Sequence, residues 1–145
     1  MIVKGKLSKS HLSAIDFFAD ALLTKQLKRH IMIHVRFRKN MDFLGLVEVE
    51  DCNNSGKPRE FIIEVNRNQS KEEIIHTLAH EMVHIRQYAY GELNEEATRW
   101  CGKKYAMDLA YHEQPWEIEA HDIGAILFND YMEKYYDKRS GRNDE

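Results

Sequence analysis

Apolar residues recur at helical spacing from 10 to 29, S-H-L-S-A-I-D-F-F-A-D-A-L-L-T-K-Q-L-K-R, where Leu12, Ile15, Phe18 or Ala19, Leu22 and Leu23 share a face. The period then shortens. I-M-I-H-V-R-F (31–37) alternates as a strand does, F-L-G-L-V-E-V-E (43–50) reads as a second strand and F-I-I-E-V-N (61–66) as a third. D-C-N-N-S-G-K-P (51–58) is turn chemistry. Three strands this close in sequence predict a small, mostly antiparallel sheet. A long helix follows from Ser70 to about Tyr90, because S-K-E-E has the form of a capping box and Gly91 supplies a C-terminal stop. R-W-C-G-K-K-Y (99–105) predicts a short strand or hairpin, and Pro115 opens a last helix reaching about Tyr136. With no repeat and no linker, the pattern predicts one α+β domain over residues 1–137 and a polar, disordered tail over 138–145.

Composition narrows the setting. A chain of 145 residues supports one modest core, and 43% hydrophobic with 31% charged residues is an ordinary globular balance. A net charge of -3 provides no strong field for nucleic acid or an anionic membrane, so neither is an expected partner. Lys25, Lys28, Arg29, Arg36, Arg38 and Lys39 read as a solvated face. Cys52 and Cys101 are too few for a disulfide scaffold and fit a reducing compartment. The first nine residues are too polar for a signal peptide and no apolar run spans a bilayer, so a cytoplasmic location is expected.

The candidate chemistry sits in L-A-H-E-M-V-H-I (78–85). His80 and His84 are four apart and lie one turn above the other on one helix face, a spacing that lets both imidazoles reach one zinc ion. Glu81 lies about 100° round the helix from His80, near such a metal but turned to address a bound water. Zinc lowers the pKa of that water to roughly 7, and a carboxylate can take its proton as it attacks a carbonyl. Leu78, Ala79, Met82, Val83 and Ile85 make the segment largely buried. Two histidines and a glutamate are costly to bury there without a partner, and a metal supplies one.

With this H-E-x-x-H segment the chain resembles the zincin metallopeptidases. Metzincins place a third histidine six residues after the second, where this chain has Tyr90; SprT-like enzymes take a later histidine, and here the later ones are His112 and His121. Gluzincins use a glutamate on a downstream helix, often as E-x-x-A, and P-W-E-I-E-A-H-D (115–122) resembles that pattern at Glu117 to Ala120. Helical geometry favours Glu117 as the third ligand, because it shares a face with Ala120, His121, Gly124, Phe128 and Tyr131, and the small residues there permit close approach to the motif helix. Glu119, on a more mixed face, is the alternative. His121 stands where gluzincins often carry an acidic residue that orients a ligand histidine, and is an alternative ligand as well; Asp122 or Asp108 are the other candidates for the orienting role. Tyr111, His112 and Tyr105 are candidates for donating to a developing oxyanion.

The resemblance covers roughly residues 70–128. It implies a zincin-like α+β fold: an N-terminal helix and sheet packed on the active-site helix, then a short hairpin and a C-terminal helix carrying the third ligand. It also implies that an edge strand, 43–50 or 60–66, binds extended substrate. The short chain is similar to minimal gluzincins and to short SprT-like metallopeptidases of phages and bacteria. The implied activity is a zinc-dependent endopeptidase with one zinc ion, acting on a peptide or protein. Two alternatives stand beside it. One is a deformylase-like amide hydrolase with Cys52 as third ligand, although E-D-C-N-N-S does not match the deformylase pattern. The other is a non-enzymatic zinc-binding interaction protein of the same fold.

Overall fold

In the computed structural model, which describes residues 1–136, the apolar run at 10–29 forms two helices instead of one. Helix α1 (Lys9–Leu22) is capped by the Ser8 hydroxyl, which accepts from the His11 amide at 3.1 Å. Leu23 turns extended, and Thr24 caps a new short helix, α2 (Lys25–Lys28), by accepting from the Leu27 amide at 3.1 Å. The Thr24 hydroxyl is therefore a competing cap that the apolar spacing alone does not reveal. The buried stripe of α1 is His11, Ala14, Ile15, Phe18, Ala19 and Leu22, which leaves Leu12 exposed.

Strands β1 (Ile2–Lys4), β2 (Met32–Arg38), β3 (Gly45–Cys52) and β4 (Pro58–Asn66) form one sheet in the order β1-β2-β4-β3. The expectation of a mostly antiparallel sheet is corrected here. β1 pairs parallel with β2, β2 pairs parallel with β4, and only β3 and β4 run antiparallel. Two nonlocal events cause this. Helix α1 intervenes between β1 and β2, as a parallel crossover requires. The β3–β4 hairpin then folds back so that β4 enters between β3 and β2. β4 is accordingly the most continuously apolar strand, with Phe61, Ile62, Ile63 and Val65 buried.

Ile33, Val35, Phe61, Ile63 and Val65 join Phe18, Ile75, Leu78 and Met82 in the core under α1 and α3 (Lys71–Ala89). The opposite sheet face carries ion pairs, His34–Glu60 and Arg38–Glu64, each at 2.9 Å. Lys28 likewise joins Asp16 and Asp20 at 2.6 Å, so two residues of the basic stretch, Lys28 and Arg38, are paired locally. β5 (Arg99–Trp100) and β6 (Lys103–Lys104) make the expected hairpin. A 3-10 turn (Tyr111–Glu113) leads into α4 (Pro115–Tyr131), and a π-helical turn (Met132–Tyr136) follows. The Tyr131 hydroxyl donates to the Ser10 carbonyl at 3.1 Å and fastens α4 to α1. Among the described residues no helix is long and apolar enough to cross a membrane. Asp137 and the tail at 138–145 lie outside the described residues.

His11 gives the fold a pH dependence. Its Nε2 is buried without a hydrogen-bond partner, and burial, helped by the Lys71 ammonium, lowers its pKa below the ordinary 6.5. The unfolded chain then binds this proton more readily than the folded one, so the stability is intact above about pH 6.5 and is lost as pH falls below it. Urea midpoints measured down through that range are expected to decline less steeply for His11→Phe than for the wild type. Parallel declines would remove His11 as a cause.

Candidate metal centre

Helix α3 is the floor on which the site is built. Ser70 accepts from the Glu73 amide at 3.1 Å and its own amide donates to the Glu73 carboxylate at 3.0 Å, completing the capping box. The helix runs unbroken to Ala89, and Gly91 follows at φ +74°. His80 and His84 therefore keep the one-turn register, with ring centroids 4.9 Å apart. Helix α4 crosses this floor at close range. A Cβ on Gly124 would stand 3.1 Å from the His80 Cα and 3.2 Å from its amide nitrogen, so glycine sets the helix separation at that point.

Close packing brings Glu117 over the histidines. Its Oε1 lies 2.9 Å from the Nε2 of His80 and 2.9 Å from the Nε2 of His84. One donor atom from each residue falls within 4.8 Å of the others, the only such group of histidine, cysteine or carboxylate side chains among the described residues. Burial works against charge on Glu117, but hydrogen bonds from His80 and His84 more than offset it and hold the carboxyl down at about 2. Burial also opposes charge on His84; Glu117 and Glu81 outweigh it and raise its pKa.

This donor set fits a divalent metal. A carboxylate oxygen facing two imidazole nitrogens at once is satisfied by protons on those nitrogens or by a cation held between the three groups. Two nitrogens and one carboxylate oxygen are ordinary zinc donors, and tetrahedral zinc at about 2.0–2.1 Å sets neighbouring donors roughly 3.3 Å apart. The two observed oxygen–nitrogen separations of 2.9 Å would open by only a few tenths of an ångström to reach that spacing.

Glu81 stands beside this triad and outside it. Its residue is 4% exposed, and burial raises its pKa against the pull of His84 and His80. No described residue hydrogen-bonds to its carboxyl. Gly45, at the start of β3, lets the strand close over it: a Cβ there would meet Thr77 Cγ2 at 2.5 Å and Glu81 Oε1 at 3.1 Å. Together these residues line a cleft of about 920 Å³, with Phe43, Leu44 and Met107 on its exposed rim.

The other candidates separate clearly. Tyr111 hangs over the cleft with its hydroxyl 3.5 Å from His80 Nε2; burial first, and then Glu117, push its pKa up and keep it a donor. His112 is turned out, 4.0 Å from Glu113, and does not line the cleft. Tyr105 stacks edge-on against the buried Trp116, ring centroids 5.7 Å apart, and is absent from the cleft lining too. His121 reaches the cleft mouth but is largely exposed, 3.4 Å from Asp122 and apart from the cluster of His80, His84 and Glu117. Glu119 points to the far side of His84, accepting from the Gln87 amide at 3.2 Å. Cys52 lies at the end of β3, where its thiol donates to Glu95 at 2.9 Å; that contact, helped by burial, pushes it up to about 11. Cys52 and Cys101 are both free.

Asp122 and Asp108, the other candidates for orienting a histidine, are both exposed, and neither hydrogen-bonds to His80 or His84. Gln87 stands in that position instead, its Oε1 2.7 Å from His84 Nδ1. The signal that finds it is its spacing: three residues beyond His84, on the same helix face. No family model, curated protein or solved structure matches this chain.

Proposed function

We propose that the protein is a zinc-dependent metalloendopeptidase of gluzincin type, its α+β core arranged as a zincin. The observation that carries this reading is the convergence of His80, His84 and Glu117 beside Glu81, on the floor of a cleft that meets an open sheet edge. β4 is central and has both backbone edges engaged, whereas β3 has a strand on one side only. Of the two candidate segments, β3 is therefore the one an extended peptide joins by strand addition. Among the described residues no lysine or arginine lines the cleft, while Glu73 and Glu96 do. That balance suits uncharged or basic segments with large apolar side chains for the rim.

Zinc held by His80, His84 and Glu117 would supply a Lewis acid and lower the pKa of water to roughly 7. Glu81 takes a proton from the attacking water as its oxygen bonds to the carbonyl carbon. It then returns that proton to the amide nitrogen as the C–N bond breaks, leaving a carboxylic acid and an amine. The Tyr111 hydroxyl donates to the carbonyl oxygen as negative charge develops there. The partly buried floor strengthens each of these interactions relative to open water.

Elemental analysis of the purified protein, followed by cleavage assays on a set of unfolded proteins, tests this reading. Zinc near one equivalent is expected, with cleavage that a chelator stops and added zinc restores. A protein that holds zinc but cleaves none of the set would instead be a zinc-binding interaction protein.

A further inference from the structure

The side chain of Gln87 is fully buried, and all of its hydrogen-bonding groups face partners of fixed polarity. Its Nε2 lies 3.0 Å from the Trp116 carbonyl oxygen and 3.2 Å from Glu119 Oε1. Both of these groups only accept, so the amide nitrogen must be the atom that faces them. The reverse orientation would set three oxygens against one another. Its Oε1 is therefore the atom 2.7 Å from His84 Nδ1, and an amide oxygen can only accept. It follows that His84 carries a proton on Nδ1.

We infer that Gln87 is a positioning residue that fixes the Nδ1–H tautomer of His84 and so aims the Nε2 lone pair at the metal, with Glu119 and the Trp116 carbonyl locking the Gln87 amide. The inference rests on the reading of His80, His84 and Glu117 as a metal triad. It gives Glu119 a role that motif spacing does not suggest. Glu119 acts two hydrogen bonds away from the metal, through Gln87, and Arg86 stands 3.8 Å from its carboxylate to steady it. It also explains why Trp116 lies directly before the ligand Glu117. The same turn of α4 that delivers the carboxylate to one side of His84 delivers a carbonyl to the amide that orients the other side. A buried, fully satisfied amide of this kind holds a ring more rigidly than a solvated carboxylate, because each of its bonds has a single compatible partner.

The test uses the full chain and zinc itself. Nitrogen-correlated NMR of the zinc-loaded wild type is expected to find the His84 proton on Nδ1. Gln87→Met keeps the volume but cannot accept this proton, and its zinc affinity is expected to fall about 10–100-fold. Glu119→Gln still offers the Gln87 amide an oxygen acceptor and leaves its bond to the Trp116 carbonyl intact, and is expected to keep most of the affinity. A wild type that binds no zinc would overturn the triad reading and this inference with it. A His84 proton found on Nε2 would overturn the triad reading too, because a protonated Nε2 cannot ligate, whereas normal zinc affinity in Gln87→Met would overturn this inference alone. If Gln87→Met does not fold, the wild-type spectrum still decides: a His84 Nδ1 proton shielded from exchange is expected, and one that exchanges with water as fast as an unheld imidazole proton would overturn the inference.

Discussion

Glu81→Gln is expected to leave zinc bound at the wild-type level and to lower the rate of peptide hydrolysis roughly 10²–10⁴-fold. The two halves of that expectation come from separate observations. Zinc is retained because the Glu81 carboxyl is not part of the donor triad, which consists of His80, His84 and Glu117. The fold around it is retained because glutamine has nearly the same shape, and the tight fit under Gly45 and against Thr77 accepts an amide as it does a carboxylate. The rate falls because an amide oxygen cannot take a proton from water near neutral pH. Elemental analysis and initial rates on the same preparations check both halves. A variant with full zinc and full activity would remove Glu81 from the mechanism.

Glu117→Ala has the opposite signature. It removes one of three donors and leaves two neutral imidazoles, so zinc is expected to be lost on dialysis and activity with it. Thermal or urea unfolding with and without zinc adds a readout independent of catalysis. At a thousand-fold excess of free zinc over Kd, the wild type gains about 4 kcal/mol of stability, because the folded protein alone presents the assembled site. Glu117→Ala is expected to lose nearly all of that gain, and Glu119→Ala to keep most of it. Zinc-dependent stabilisation that survives in Glu117→Ala and vanishes in Glu119→Ala would move the third ligand to Glu119.

How far the sequence reached depended on whether the deciding interaction was local. The His80–His84 register follows from one helix and its cap, so it was legible outright. That Glu117 and not Glu119 meets the two histidines was legible because Ala120 and Gly124 mark the face that packs closely, and the structure puts Gly124 against His80. The sheet was not legible in the same way. Strand patterns show which residues alternate but not which strand enters between two others, and the three-residue β1 is too short to show a period. Leu12 was misplaced because the true cap, Ser8, and the buried His11 define the stripe of α1. His112 and Tyr105 were chosen by proximity in sequence, whereas the 3-10 turn at Tyr111–Glu113 directs only Tyr111 over the cleft. Gln87 has no ionisable chemistry, and its spacing from His84 gains its meaning from the partners that the fold supplies.

The edge position of β3 carries a hazard of its own. An unpaired strand edge is a template for another copy of the same strand, and that is how folded chains begin to aggregate. β3 divides this risk along its length. Its first three residues, Gly45 to Val47, are uncharged, whereas Glu48, Glu50 and Asp51 beyond them are exposed acids. Two copies pairing edge to edge in parallel register would bring like charges together. The uncharged run that remains is too short to hold two copies by itself. The strand thus leaves its uncharged end open and sets three carboxylates against parallel pairing of two copies at the other.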